Sequence, residues 1–250
     1  MSSGGAAGAA APTGAAPAPG DAPSREAPVE GSTGGDPATS DAPSGIVPGA
    51  DYFPLVDGAV WVYRHEGGTT WDEEVTMSTT RHAGMDAMEV RDTPGPSGSS
   101  TVAIFVRDGS QVRRVHKVVS TGATTDAVVD YTPGFVRFDD AWLGMDAGTS
   151  VTLSYQRVEA DGVGMIVSQS DRSHTFEMMV AGATVTVPAG TFEGCLEIRR
   201  NRIRAAGVAP GAGDVKSFWF CPEVGKVKEL DEGAGKTEEL ISCTLPGCSP

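Results

Sequence analysis

The sequence predicts an all-β protein, a strongly curved antiparallel sheet or half-barrel with a β-sandwich as the alternative, preceded by a disordered tether. Three observations carry this. Val185–Arg202, VTVPAGTFEGCLEIRRNR, alternates apolar and polar residues on both sides of a Pro188-Ala189-Gly190 turn, which is the period of two that a half-buried strand imposes. Turn signals recur near the 8–12-residue spacing of all-β proteins. No segment sustains an apolar period of 3.6 beyond about two turns. Roughly a dozen antiparallel strands must curl, because a flat sheet of that size leaves edges and one face exposed.

In chain order, Asp57-Gly58 is a turn feeding a first strand with Trp61 and Tyr63 on one face. Trp71–Thr79 and Met85–Arg91 follow as strands across an Arg81–Gly84 turn, and Thr93–Ser100 reads as a loop. Thr101–Arg107 and Gln111–Val119 make a hairpin around Asp108-Gly109, the clearest two-residue turn signal in the chain. Val128–Tyr131 and Phe135–Phe138 are expected as short strands broken by Pro133-Gly134. Asp139–Gly148 holds too many turn formers for a strand, though Trp142, Leu143 and Met145 could tuck one helical turn beneath the sheet. Ser150–Val158 and Gly164–Ser168 flank an Asp161-Gly162 turn; Arg172–Ala181 leads into the 185–202 stretch, and Val215–Leu230 and Lys236–Cys243 complete the sheet.

Composition divides the chain. Of residues 1–50, 40 are Gly, Ala, Pro, Ser or Thr and none is aromatic, so this part has almost nothing to bury against the entropy of ordering. Residues 51–250 hold every Trp, Tyr, Phe and Cys and are expected as a single domain. The formal net charge is −14, of which the tether, with five acids against Arg25, carries −4 and the domain −10. An acidic domain repels phosphate backbones, which argues against nucleic acid as a partner. No run approaches the roughly 18 apolar residues that span a bilayer as a helix.

The opening residues MSSGGAAG have neither the positive region nor the apolar core of a signal peptide. Two readings follow: a cytoplasmic protein that starts at Met1, or a trimmed envelope lipoprotein in which Met1 stands where the lipidated cysteine would be. The second is preferred, because a long Ala/Pro/Gly tether suits a periplasmic or outer-surface domain, and membrane contact would then be through that N-terminal anchor alone. Four cysteines fit an oxidising compartment. Cys243 and Cys248 are close enough to close a small loop, and Cys195 and Cys221 fall on strands expected to be adjacent. Cys221 with Cys243 is also reasonable, so the pairing stays open. No pair has the C-x-x-C spacing of a zinc site, and no metal or cofactor is expected.

Three pieces occur in order: Tyr52–Leu55 (YFPL) followed by Gly58 and Trp61; Val187–Phe192 (VPAGTF) with Cys195; and Phe218–Pro222 (FWFCP) with Val224–Lys228 (VGKVK). Together they resemble a broad group of bacterial secreted lipoproteins and periplasmic proteins. The resemblance spans Tyr52 to about Leu230, and implies an envelope location and a fold similar to the half-barrels of lipoprotein-carrier proteins. Most such domains have no known activity. Arg199–Arg204 and the Gly/Pro-rich Ala205–Asp214 depart from the pattern.

Catalytic signals are weak. Gly233–Thr237 (GAGKT) imitates a phosphate-binding loop, but Leu230 stands where a glycine is required, and a hairpin turn is expected. Gly95–Ser99 misses G-x-S-x-G by one position. His65, His82, His116 and His174 lie on four segments without ligand spacing, and His174 is expected as a partly buried, hydrogen-bonded residue. The expectation is therefore a protein that is not an enzyme. A concave apolar face carrying Trp61, Tyr63, Phe192, Leu196, Ile198 and Trp219 would hold a hydrophobic or lipid-like molecule, unless those side chains simply fill the core. The alternative is a structural or partner-binding subunit of a surface assembly, joined to an envelope protein through a strand edge or loop. Arg200, Arg202 and Arg204, alternating on one strand face, are candidates to bind an anion, against cross-strand pairing with acids.

Overall fold

A computed structural model describes residues 45–248. The tether expected over residues 1–50 lies for its greater part, residues 1–44, outside the described residues. Residues 45–50 rest on the domain: Ile46 and Ala50 pack against the main core, and the Val47 amide donates to Tyr52 Oη at 3.1 Å.

Twelve antiparallel strands follow in chain order: β1 (Val60–Glu66), β2 (Trp71–His82), β3 (Met85–Asp92), β4 (Ser99–Asp108), β5 (Gln111–Thr121), β6 (Thr124–Asp139), β7 (Ser150–Asp161), β8 (Ile166–Val187), β9 (Gly190–Ile203), β10 (Val215–Cys221), β11 (Gly225–Asp231) and β12 (Lys236–Cys243). Each pairs with its sequence neighbours, and β1 pairs with β12 from Trp61↔Cys243 to Glu66↔Thr237. All-β therefore holds, but the half-barrel and the sandwich do not: the sheet closes into a barrel. Closure pairs β1 with β12 and so satisfies the backbone groups that an open sheet leaves on its two outer strands.

Other local expectations change for stated reasons. The two short strands around Pro133-Gly134 are one strand, β6, since β5 pairs along it on both sides of that break and absorbs the irregularity as register shifts. In the 185–202 stretch the alternation does not run through. Register shifts near Ala183 face Gly194, whose φ of +70° suits glycine, so Phe192 packs in a different cluster from Leu196 and Ile198. Trp142 does tuck under the sheet, 1 % exposed, on a short 3-10 turn at Asp140–Gly144.

About eight strands enclose just enough space for side chains to fill, so twelve leave room that the sequence must occupy otherwise. It does so with aromatics and a strap. Phe105, Phe135, Phe138, Trp142, Phe176, Phe218 and Phe220 form one continuous cluster. Residues 51–55, ahead of β1, reach into that cluster: Phe53 lies 6.0 Å from the Phe105 ring, 6.3 Å from Phe138 and 6.0 Å from Phe220. Tyr52 Oη donates to Gly194 O at 2.8 Å, and Arg107 donates to Phe53 O at 3.1 Å. The YFPL motif is thus a filler of barrel volume.

Cys195 pairs with Cys221 across β9 and β10, and Cys243 with Cys248 at the C-terminal end of β12. The first closes a separation of 26 residues and both its cysteines are fully buried; the second closes 5 and is half-exposed. Chain-entropy arguments assign about 3.5 kcal/mol to the longer loop and about 2 kcal/mol to the shorter. Thiol reductant under native conditions is accordingly expected to open Cys243–Cys248 first. Replacing Cys195 and Cys221 by alanine should lower the urea midpoint more than replacing Cys243 and Cys248; mass spectrometry after alkylation, with urea titrations, checks both.

Candidate functional site

Beside the aromatic cluster the barrel retains a cavity of about 250 Å³. Its apolar wall comes from Trp61 and Tyr63 on β1, Val75 and Met77 on β2, Val90 on β3, and Ala103 and Phe105 on β4, with Phe53 and Pro54 of the strap. Its polar wall is charged: Glu73 and Asp92, Arg114 on β5, Arg137 on β6, Lys226 and Glu229 on β11, and Glu238 on β12. Antiparallel pairing explains the company, since Tyr63 sits opposite Glu73 and Glu238 opposite both His65 and Glu229.

The aromatic wall is fixed by its polar ends. Trp61 Nε1 donates to Val224 O at 2.9 Å and Tyr63 Oη to Lys226 O at 2.8 Å, so both rings bury their faces without leaving a donor unpaired. The Lys226 ammonium lies 4.9 Å from the Tyr63 ring centroid and pairs with Glu229 at 3.1 Å and with Glu238. Glu229 also holds Lys216. Burial alone would raise the Glu229 carboxyl; Lys226 and Lys216 overcome it and hold the carboxyl well below the usual range. For Glu238 burial prevails over Lys226, and its carboxyl is pushed up. Burial likewise raises Asp92, although the Thr101 amide donates to it.

His65 Nε2 and Glu73 Oε2 are 3.1 Å apart, and the His65 ring stacks on Trp71 at 4.3 Å. Burial disfavours the charged imidazole, but the bond to Glu73 and the nearby Glu238 and Glu73 charges outweigh it and raise its pKa. His65, Glu73 and Glu238 each offer one ligand atom, all within 4.8 Å of one another, a set that could hold a divalent cation. A cation there would have to displace Lys226 from Glu238.

On the far side of the cavity stands a different electrostatic arrangement. The guanidinium carbons of Arg114, Arg137 and Arg200 lie 5.2, 5.8 and 5.5 Å from the centroid of one ring, Phe135. Arg114 also faces Tyr131 at 4.9 Å, and Arg200 faces Phe218 at 5.2 Å. Burial lowers the pKa of Arg114 and of Arg200 to about 10 each. Next to them His174, 6 % exposed, bonds Tyr155 Oη at 3.2 Å, and burial followed by the Arg200 charge holds its pKa at about 3. His174 is therefore a neutral core residue at physiological pH.

Of the six residues expected on a concave face, only Trp61 and Tyr63 line the cavity. Leu196 and Ile198 are fully buried in the main cluster, and Phe192 packs beside Val185 and Val187 in the second. Trp219 alternates with the core residues Phe218 and Phe220 and so takes the outer face, opposite Glu197 and Lys228. Lys228 lies 5.6 Å from its ring centroid. Of the three arginines, Arg200 points to the interior; Arg202 pairs with Asp214 at 3.6 Å, and Arg204, one residue beyond β9, also pairs with Asp214. Asp214 is 2 % exposed and is held below the usual carboxylate range, first by Arg204.

Sequence reasoning missed Arg114, Arg137, Lys226, Glu229 and Glu238. Their signal is a charge in phase with inward apolar neighbours, such as Lys226 and Glu229 opposite Phe220 and Phe218. Bulges at Trp219/Phe220, Val112/Arg113 and Arg114/His116 scramble that phase in the sequence.

No family model and no curated protein matches the chain, so the resemblance to bacterial envelope proteins rests on its three motifs alone. Among solved structures, the chain is similar to a candidate lipoprotein from Parabacteroides distasonis at 16% identity and a TM-score of 0.40. It is also similar to a candidate exported protein with a YmcC-like fold from Bacteroides fragilis at 12% identity and a TM-score of 0.44. Each match covers 78% of this chain and 99% of the other. Likenesses at this level carry no inference about activity.

Proposed function

We propose that the protein is a non-catalytic, exported barrel of the cell envelope that holds a small hydrophobic molecule in its interior. The carrying observation is the cavity of about 250 Å³, walled by Trp61, Val75, Met77, Val90, Ala103 and Phe105 inside a closed sheet. Drug-sized ligands occupy pockets of roughly 300–1,000 Å³, so the occupant is small. Two disulfides support an oxidising compartment. All four cysteines are bridged, so no free thiol is present.

Native mass spectrometry of protein isolated from its own envelope without detergent tests the reading. The expected result is a mass adduct of small-molecule size that is lost on unfolding. The variant Val90→Trp, which fills the cavity, should lose the adduct while keeping its circular dichroism. An adduct retained in that variant, or none in the native protein, would overturn the proposal.

A partner-binding role is favoured by one separate observation. At the β7–β8 hairpin tip, Val163, Met165, Ile166 and Val167 are 62–83% exposed, four large apolar side chains within five residues. If this tip docks on an envelope protein, Met165→Ser with Ile166→Ser should abolish co-purification of that protein and leave the cavity adduct intact.

A further inference from the structure

We infer that the molecule held in the barrel carries an oxyanion, a carboxylate or a phosphate, and that Arg114 and Arg137, backed by Arg200, bind it. This deepens the reading just given and rests on it.

Three guanidinium groups within 5.8 Å of one phenylalanine ring repel one another, and in an interior of low dielectric that repulsion is large. The surroundings neutralise it only in part: Glu229, already held by Lys226 and Lys216, is the carboxylate whose charge reaches Arg137 and Arg200. Among the described residues, none of the three takes part in an ion pair, and the Nε atom of each is buried without a hydrogen-bond partner. Arg200 donates only to the Gly213 carbonyl, at 3.2 Å. Faces of Phe135, Tyr131 and Phe218 offer cation–π attraction, which is about 0.5–2 kcal/mol per contact and falls short of the cost of desolvating a charge.

Carboxylates do line the same cavity, but they are engaged. Glu229 and Glu238 hold Lys226, Glu73 holds His65, and Asp92 accepts from the Thr101 amide. The lumen is therefore divided: a wall of satisfied ion pairs on β1, β2, β11 and β12 faces unpaired cations on β5 and β6. Lys117, three residues further along β5, adds to the same side; burial and then the Arg114 charge lower its pKa to about 8, against the opposing pull of Asp92. Elsewhere most arginines are paired, Arg202 and Arg204 with Asp214 and Arg199 with Glu232, Arg172 being the exception among the described residues. Buried cations left without acids beside an empty volume are complementary to a negative charge brought from outside, and a guanidinium fork receives two oxygens of a carboxylate or phosphate at once. The apolar wall opposite then accepts the rest of the molecule.

The test is isothermal titration of the full chain with octanoate, octyl phosphate, octanol and octylamine, and with inorganic phosphate and acetate alone. Octanoate or octyl phosphate should bind at least tenfold more tightly than octanol, and octylamine not at all. The double variant Arg114→Gln, Arg137→Gln should lose tenfold or more in affinity for the anionic probes and keep its affinity for octanol. Equal affinity for octanol and octanoate, or unchanged octanoate binding in the variant, would refute the anion site while sparing the hydrophobic holder. Phosphate alone matching octyl phosphate would keep the anion site and refute the holder. Failure of every probe to bind would refute both. Should the double variant not fold, the ranking of the six probes on the native chain decides by itself.

Discussion

Replacing Lys226 by methionine is expected to cost about 3–5 kcal/mol, the range seen when one partner of a buried ion pair is removed. The reason is what stays behind. Glu229 and Glu238 face each other across β11 and β12, their side chains only 13% exposed, and Lys226 is the cation between them. Methionine keeps most of the buried stem but leaves two like charges in the lumen. For a domain of this size the melting temperature should fall by about 6–20 °C, at roughly 2–4 °C per kcal/mol.

The pH dependence separates this cause from lost packing. In the native protein the Glu229 carboxyl is held below its ordinary value of 4.5, so it contributes stability that is fully present above that value and is lost as pH falls further. In Lys226→Met the cation shared by the two carboxyls is gone and only Lys216 remains, on Glu229, so both carboxyls are expected to titrate higher than they do in the native chain. Protonation then relieves the repulsion, and the variant gains relative to the native chain on acidification. Urea titrations at pH 7 and near pH 4.5 should show the deficit shrinking. A deficit of equal size at both would mean that methionine merely packs badly and that the ion pairs contribute little.

Phe138→Ala should be comparably severe, about 3–5 kcal/mol. Phe138 is fully buried and contacts four other rings: Phe220 at 5.1 Å, Trp142 at 5.3 Å, and Tyr52 and Phe53 at 6.3 Å each. Removing it opens a void at the junction of strap, sheet and the 3-10 turn, where β6 is held in place by its pairing with β5. Beyond the loss of stability, the strap should loosen, because Tyr52 and Phe53 both lean on this ring. Limited proteolysis is expected to cut within residues 51–59 in the variant and not in the native chain. Phe138→Leu, retaining most of the volume, should cost less and leave the strap protected. Equal cleavage of native chain and Phe138→Ala would show that the strap is held by the Tyr52 hydroxyl bond to Gly194 O and the Arg107 side-chain bond to Phe53 O instead.

Much of the fold could be read from residues close in the chain. Asp108-Gly109 marks a hairpin because two residues decide it, and the alternation in β1, with Trp61 and Tyr63 inward, survives into the structure. Phe192 shows where such reading ends. A bulge at Gly194 changes the face of everything before it, and periodicity alone contains no mark of the slip. The candidate site was legible only at Trp61 and Tyr63, since its charged members come from β5, β6, β11 and β12 and become neighbours only once the sheet closes.

Strand content, turn positions, the acidic balance and the availability of two cysteine pairs were determined by the sequence by itself, because each depends on the order of neighbouring residues. Closure of β1 on β12 joins residues about 180 positions apart, and it was decided by the tertiary structure alone, as were the strap in the lumen and the unpaired arginines around Phe135. The physical reason is that a strand's pattern states which face is buried and leaves open which strand lies beside it. A charge, in turn, is satisfied or stranded only by what the far side of the barrel brings to meet it.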